Sequence, residues 1–118
     1  MSGDVAEKRV AVVIDDEPDH TRYISSILED HGFVTVQAHD ARTGESSIRE
    51  HGPDLICLDL MMPGRSGIQL FSRLKADESV RDIPLIMITG IKEQMNIDWG
   101  EIAGGLRTRK PDGFVEKP

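Results

Sequence analysis

The chain has a single cysteine among 118 residues, so an internal disulfide framework is excluded. No apolar run approaches the roughly 20 residues that a membrane-spanning helix needs, and no leader-like pattern opens the sequence, so a soluble cytoplasmic domain without membrane contact is expected. Basic residues are also in short supply. Fourteen Lys and Arg face 21 Asp and Glu, a formal charge of −7. Nucleic acids and anionic membranes both gain affinity from Lys and Arg, so direct nucleic-acid binding by this domain is not expected. Repeats and low-complexity segments are absent. A chain of this length folds as one domain, here 1–118 with 1–8 as an N-terminal extension, and buries roughly two thirds of its unfolded surface without metal or disulfide staples.

Against those absences stands "VVIDDE", Val12 to Glu17, in which aliphatic residues run into three consecutive acids. Like charges repel and unpaired carboxylates resist desolvation, so the triplet implies either a divalent cation or a strand that ends in solvated acids. Apolar runs recur at Val10–Ile14, Phe33–Val36, Leu55–Leu58, Leu85–Ile88 and the short Phe114–Val115, and these are the strand candidates. Between them, Pro18 to His31 carries Ile24, Ile27 and Leu28 at helical spacing, with a first-turn proline and a terminating Gly32. Asp40 suits the cap of a helix over Ala41 to His51. In "SGIQLFSRLK", Ser66 and Gln69 have capping-box spacing ahead of an apolar face of Ile68, Leu70, Phe71 and Leu74. A fourth helix after Ile91 is weakened by the glycines of "DWGEIAGG".

Five strands alternating with helices predict an α/β, doubly wound, parallel sheet. The runs at Val10, Leu55 and Leu85 are almost uniformly apolar, as central parallel strands are, whereas "FVTVQA" is mixed and "GFVE" is short, which makes these two the edges. That fits the flavodoxin-like order 2-1-3-4-5, with a ligand-binding switch point beyond the carboxyl ends of the first and third strands. Asp15, Asp16, Asp59, Thr89 and Lys117 all fall on that rim. Each alone is equally well a solvated acid, a capping threonine or an exposed lysine. Jointly they gather three carboxylates, a hydroxyl and an ammonium where such a sheet binds ligands.

With "VVIDDE", "DLICLDLMMPGRSG", "PLIMITG" and "DGFVEKP" in this order from about Val10 to Pro118, the sequence resembles the CheY-like receiver domains of two-component response regulators. The resemblance implies that Asp59 accepts a phosphoryl group from a histidine kinase or phosphotransfer protein and thereby switches an output of unknown identity. It further implies that Asp16, Asp59 and the Met61 main-chain carbonyl hold Mg²⁺, or Mn²⁺ in its place, with Asp15 contributing through water. Thr89 and Lys117 would contact the phosphoryl oxygens, and Thr89 with Phe114 would form the conformational switch. Mg²⁺ suits the acids because it takes hard oxygen ligands in an octahedron and usually only one or two protein carboxylates beside phosphate. In such domains the side chains at the positions of Met61 and Ile91 flank the attacking water of hydrolysis. Neither a thioether nor an alkyl group orients water well, so slow autodephosphorylation is expected.

Departures from the family pattern carry expectations too. Phe114 replaces the common tyrosine at the switch position, which removes a phenolic hydrogen bond. The interval from Thr89 to Phe114 is several residues long for the family and holds Trp99 and "RTRK", read as a solvated loop. The given sequence stops at Pro118, where family members continue into a fifth helix, so that helix is expected to be trimmed away or supplied otherwise, and without it the uncovered flank or edge would invite association, a homodimer being one form. Cys57 reads as a core thiol, while His20, His31, His39 and His51 lack metal-ligand spacing and read as surface residues. Gly64 and Gly67 read as sources of backbone freedom in the loop after Asp59. Two rival functions remain. A haloacid-dehalogenase-like Mg²⁺-dependent phosphohydrolase would need its nucleophile on the first strand and an aspartate two residues later, where this chain has Glu17 after Asp15, and a cap domain for which there is no room. A pseudo-receiver that only binds a partner would not need the full acidic set.

Overall fold

A computed structural model describes residues 8–60, 62–89 and 113–116. Its elements are β1 (Arg9–Ile14), α1 (Pro18–Asp30), β2 (Phe33–Ala38), α2 (Ala41–His51), β3 (Leu55–Asp59), a 3₁₀ turn (Pro63–Arg65), α3 (Ser66–Ala76), β4 (Leu85–Thr89) and β5 (Gly113–Glu116). All five strands are parallel, in the order β2-β1-β3-β4-β5. The mixed and the short strand are the edges, as their composition predicts. The segment expected to hold a fourth helix, with Trp99 and "RTRK", lies outside the described residues. Among the described residues no helix is long and apolar enough to cross a membrane.

Uniformly apolar strands follow from burial on both faces. Val12 and Ile14 of β1, Ile56 and Leu58 of β3 and Met87 of β4 join Ile48 of α2 and Leu70, Phe71 and Leu74 of α3 in one core. Their neighbours Ala11, Val13, Leu55, Cys57 and Ile88 point the other way and meet Ile24 of α1. Alternation along each strand thus feeds two cores from one sheet. Burial pushes the Cys57 thiol up to about 12, consistent with an inert core residue. Register is pinned at the amino end by Asp54, whose N–H donates to the Val10 carbonyl at 2.7 Å while its carboxylate accepts from the Val10 N–H at 2.8 Å.

The helix starts and stops largely obey the sequence signals. Pro18 opens α1, and Gly32, at φ 92°, follows its last turn. Asp40 caps α2 by accepting from the Thr43 N–H at 2.7 Å, a bond that also holds its carboxyl below the ordinary value. One expectation fails. Ser66 is already helical at φ −64°, ψ −30°, and its hydroxyl donates to the Pro63 carbonyl at 3.0 Å, so no Ser66–Gln69 capping box forms. The cause is the 3₁₀ turn, which runs straight into α3 and leaves no extended residue to act as the cap.

Charged side chains lash α2 to α3 and the loop that follows. Glu45 accepts from Arg73 at 2.9 Å and Arg49 at 3.3 Å, and Arg49 reaches on to Asp77 at 2.8 Å. Hydrogen bonds from the Ser79 hydroxyl and N–H, followed by the Arg49 bond, bring Asp77 down to about 2 from its ordinary 3.8. A depressed folded-state value adds stability that is complete above the unfolded value and is lost as pH falls through the folded one. Asp77→Asn is therefore expected to lower the thermal midpoint at pH 7, with the difference from wild type narrowing as pH falls from about 5 toward 3. Melting both proteins across that range by circular dichroism checks this, and a pH-independent difference would remove the charge from the explanation.

Candidate functional site

β1 and β3 are neighbours, so the residues that follow their last buried aliphatics emerge side by side at the carboxyl edge. Asp59 is the last residue of β3 and is fully buried. Its backbone pairs with Ile88 in β4, and the next N–H, from Leu60, donates to the Ile88 carbonyl at 3.2 Å. Asp15, one residue past β1, is also fully buried, and its N–H donates to the Ala38 carbonyl at 3.1 Å. Asp16 is exposed. Asp15, Asp16 and Asp59 each bring an oxygen within 4.8 Å of the others. This is a hard, all-oxygen donor set with two ligands inside the protein and one open to solvent, which fits an oxygen-seeking dication such as Mg²⁺.

The loop between β3 and α3 is held close to the acceptor strand. A Cβ added at Gly67 would lie 2.3 Å from the Asp59 carbonyl oxygen and 2.6 Å from that of Leu60. Gly67 is therefore present for close approach, and not for the backbone freedom expected of it; Gly64, at φ 69°, does use that freedom. The sequence offered no way to separate these roles, because only the fold brings the start of α3 against the end of β3.

Of the remaining expected site residues, Thr89 ends β4 on the same edge and pairs through its backbone with Glu116, the residue before Lys117. Phe114 lies in β5 opposite Met87. Met61, Ile91 and Lys117 lie outside the described residues. His31, His39 and His51 are exposed as expected, but His20 is a correction. The first turn of α1 folds back over the end of β1 and places His20 Nδ1 3.1 Å from Asp15 Oδ2, while the Glu17 N–H donates to Asp15 Oδ1 at 3.0 Å. The signal was its position three residues after the helix cap, where a side chain meets whatever precedes the helix.

This geometry coincides with a family match. Residues 11–107 match the response regulator receiver domain. The chain belongs to that family. Among relatives of this receiver domain, the phosphate regulon transcriptional regulatory protein PhoB of Escherichia coli is 36% identical over 110 residues, covering 93% of this chain and 45% of that protein. Protein PilH of Pseudomonas aeruginosa is 29% identical over 93 residues, covering 79% of this chain and 77% of PilH. The crystal structure of the receiver domain of NtrX from Brucella abortus is 31% identical, with a TM-score of 0.72 over 92% of this chain and 85% of that one. This receiver domain spans less than half the length of PhoB. The match places the chain among phosphoacceptor signalling domains and apart from the haloacid-dehalogenase hydrolases.

Because the atoms facing Gly67 are backbone and cannot swing away, Gly67→Ala is expected to destabilise the receiver domain by about 1–3 kcal/mol through overpacking. Urea unfolding measures this, and a variant as stable as wild type would mean that the loop after Asp59 yields without cost.

Proposed function

We propose that this receiver domain accepts one phosphoryl group on Asp59 from the phosphohistidine of a histidine kinase or phosphotransfer protein, and that the acyl phosphate switches its contacts with an output partner. The observation that supports this reading is the placement of a buried carboxylate at the end of a central strand, with the oxygens of Asp15 and Asp16 within 4.8 Å. Asp59 Oδ attacks phosphorus, the N–P bond of the donor breaks, and the imidazole departs with its electron pair. A carboxylate is a weak nucleophile toward a charged phosphoryl group, so the site acts by positioning and by neutralising charge.

Asp16, Asp59 and the Met61 carbonyl would hold Mg²⁺, or Mn²⁺ in its place, with Asp15 acting through water. When bound, the dication supplies positive charge against the phosphoryl oxygens. Asp15 suits an indirect role because the Glu17 N–H and the His20 ring each engage one of its oxygens. Lys117 would add a point charge and Thr89 a hydroxyl to the phosphoryl oxygens, and a switch of Phe114 coupled to Thr89 would work without a phenolic hydrogen bond, since a phenyl ring lacks the hydroxyl of tyrosine. Shifting a two-state equilibrium from 1:99 to 99:1 takes about 5.5 kcal/mol of differential stabilisation, the scale the acyl phosphate must supply. The domain, 1–118, works in the cytoplasm through protein partners and makes no direct contact with nucleic acid or membrane.

Acetyl phosphate with Mg²⁺ is expected to add one phosphoryl mass to wild type and none to Asp59→Asn, read by intact mass spectrometry. Stoichiometric labelling of the Asn variant would take Asp59 out of this role, and an unlabelled wild type would instead make the domain a phosphorylation-independent binding module.

The lifetime of the acyl phosphate follows from side chains that cannot orient water. Replacing Met61 by Asn and Ile91 by Glu together is expected to speed decay about tenfold, about 1.4 kcal/mol of barrier. Loss of the phosphoryl mass over time compares the two proteins, and equal rates would separate hydrolysis from these positions.

A further inference from the structure

Glycine inside a helix weakens it relative to alanine, so a helical glycine calls for a reason. Gly44 lies within α2 and is buried, and its backbone is not among the left-handed positions that favour glycine. The reason is its neighbour. A Cβ added at Gly44 would lie 2.6 Å from Ile14 Cδ1, 2.8 Å from Cγ1 and 3.0 Å from Cγ2. Carbon atoms pack at about 3.5–4.0 Å. Ile14 cannot swing aside, because it is fully buried and β-branched, and Cγ1 and Cγ2 both ride on its Cβ. The missing methyl therefore sets how closely α2 lies on the end of β1.

That end carries the acids. Ile14 is the last residue of β1, and Asp15 and Asp16 follow it directly. In the sheet Ile14 stands between Ala38 of β2 and Leu58 of β3. Leu58 precedes Asp59, and the Ala38 carbonyl accepts from the Asp15 N–H at 3.1 Å. Asp40, just beyond Ala38, caps α2 through the Thr43 N–H. A displacement at the contact of Gly44 with Ile14 thus reaches Asp15 along two short routes, one through β1 and one through the connection from β2 to α2.

We propose that Gly44 is a positioning residue of the acidic site: the absence of a side chain there fixes where Asp15 and Asp16 stand relative to Asp59, and so sets the affinity for the dication. It touches neither metal nor phosphoryl group and acts through Ile14. The inference rests on the reading that these acids hold Mg²⁺ beside Asp59, and its test therefore includes a measurement on metal-free protein that does not depend on that reading.

Mg²⁺ calorimetry, and the backbone amide resonances of metal-free protein, are compared in wild type, Gly44→Ala, Gly44→Ala combined with Ile14→Val, and Ile48→Val. Gly44→Ala is expected to weaken Mg²⁺ about tenfold and to move the amide resonances of Asp15 and Asp16. Adding Ile14→Val, which removes the nearest atom and returns the volume of the added methyl, should bring the affinity back to within about threefold of wild type. Ile48→Val trims the same buried face one turn further along α2, and should lower the thermal midpoint while leaving Mg²⁺ affinity within about twofold. Equal losses of Mg²⁺ affinity in Gly44→Ala and Ile48→Val overturn the proposal, since affinity would then follow general stability. So does a Gly44→Ala protein with wild-type affinity and unmoved Asp15 and Asp16 resonances, or a loss that Ile14→Val does not reverse. If wild type binds no Mg²⁺, the reading of the metal site falls, and the metal-free resonances alone decide whether Gly44 positions the acids. If Gly44→Ala does not fold, the doubly substituted protein decides, because action through Ile14 requires it to fold and to bind Mg²⁺ as stated.

Discussion

Three carboxylates held within 4.8 Å of one another are the constraint around which this molecule is arranged. Unit charges at that separation repel by about 3 kcal/mol at an effective dielectric constant of about 20. Such a group persists only where the fold overrules the repulsion and where a countercharge or hydrogen bonds can answer it. The sheet provides the first condition. Val12, Ile14, Ile56 and Leu58 are buried to within 1% of complete, and their packing fixes where β1 and β3 end. Asp15 and Asp59 are carried to the edge by strands whose position is settled elsewhere.

The second condition is met locally at Asp15, and short segments turn back on the edge after both strands. After β1, Glu17 and His20 in the first turn of α1 address the two oxygens of Asp15. After β3, the 3₁₀ turn and Gly67 bring the start of α3 against the Asp59 carbonyl. In both places a helix begins almost on top of a strand end, and it is the compactness of those connections that makes the edge a site. The same compactness explains why a histidine was recruited to Asp15 and why the expected Ser66 cap was not formed.

Family membership and site chemistry reinforce one another here without being the same statement. The match over residues 11–107 says what kind of domain this is. The geometry says which carboxylates are buried, which is exposed, and which are already engaged by hydrogen bonds. Relatives such as PhoB extend well beyond the part this chain covers, so partner and output are matters for the whole protein.

Much was legible in the sequence because it depends on periodicity and on punctuation. Uniform aliphatic runs gave β1, β3 and β4 as central strands, the mixed composition of "FVTVQA" marked an edge, and Pro18, Asp40 and Gly32 set helix limits through their own backbone chemistry. The placing of Asp15, Asp16 and Asp59 on one rim followed from topology alone, since parallel strands end on the same side. What sequence could not reveal were contacts between residues whose approach depends on how tightly a connection folds. Gly67 reads as a flexible loop glycine until its missing side chain is seen to face the Asp59 carbonyl at 2.3 Å, and His20 reads as a surface residue until α1 lays it 3.1 Å from Asp15. Local propensity and hydrophobic pattern are properties of a segment. Steric contact and ligand spacing are properties of pairs brought together by packing, and only the tertiary structure decided them.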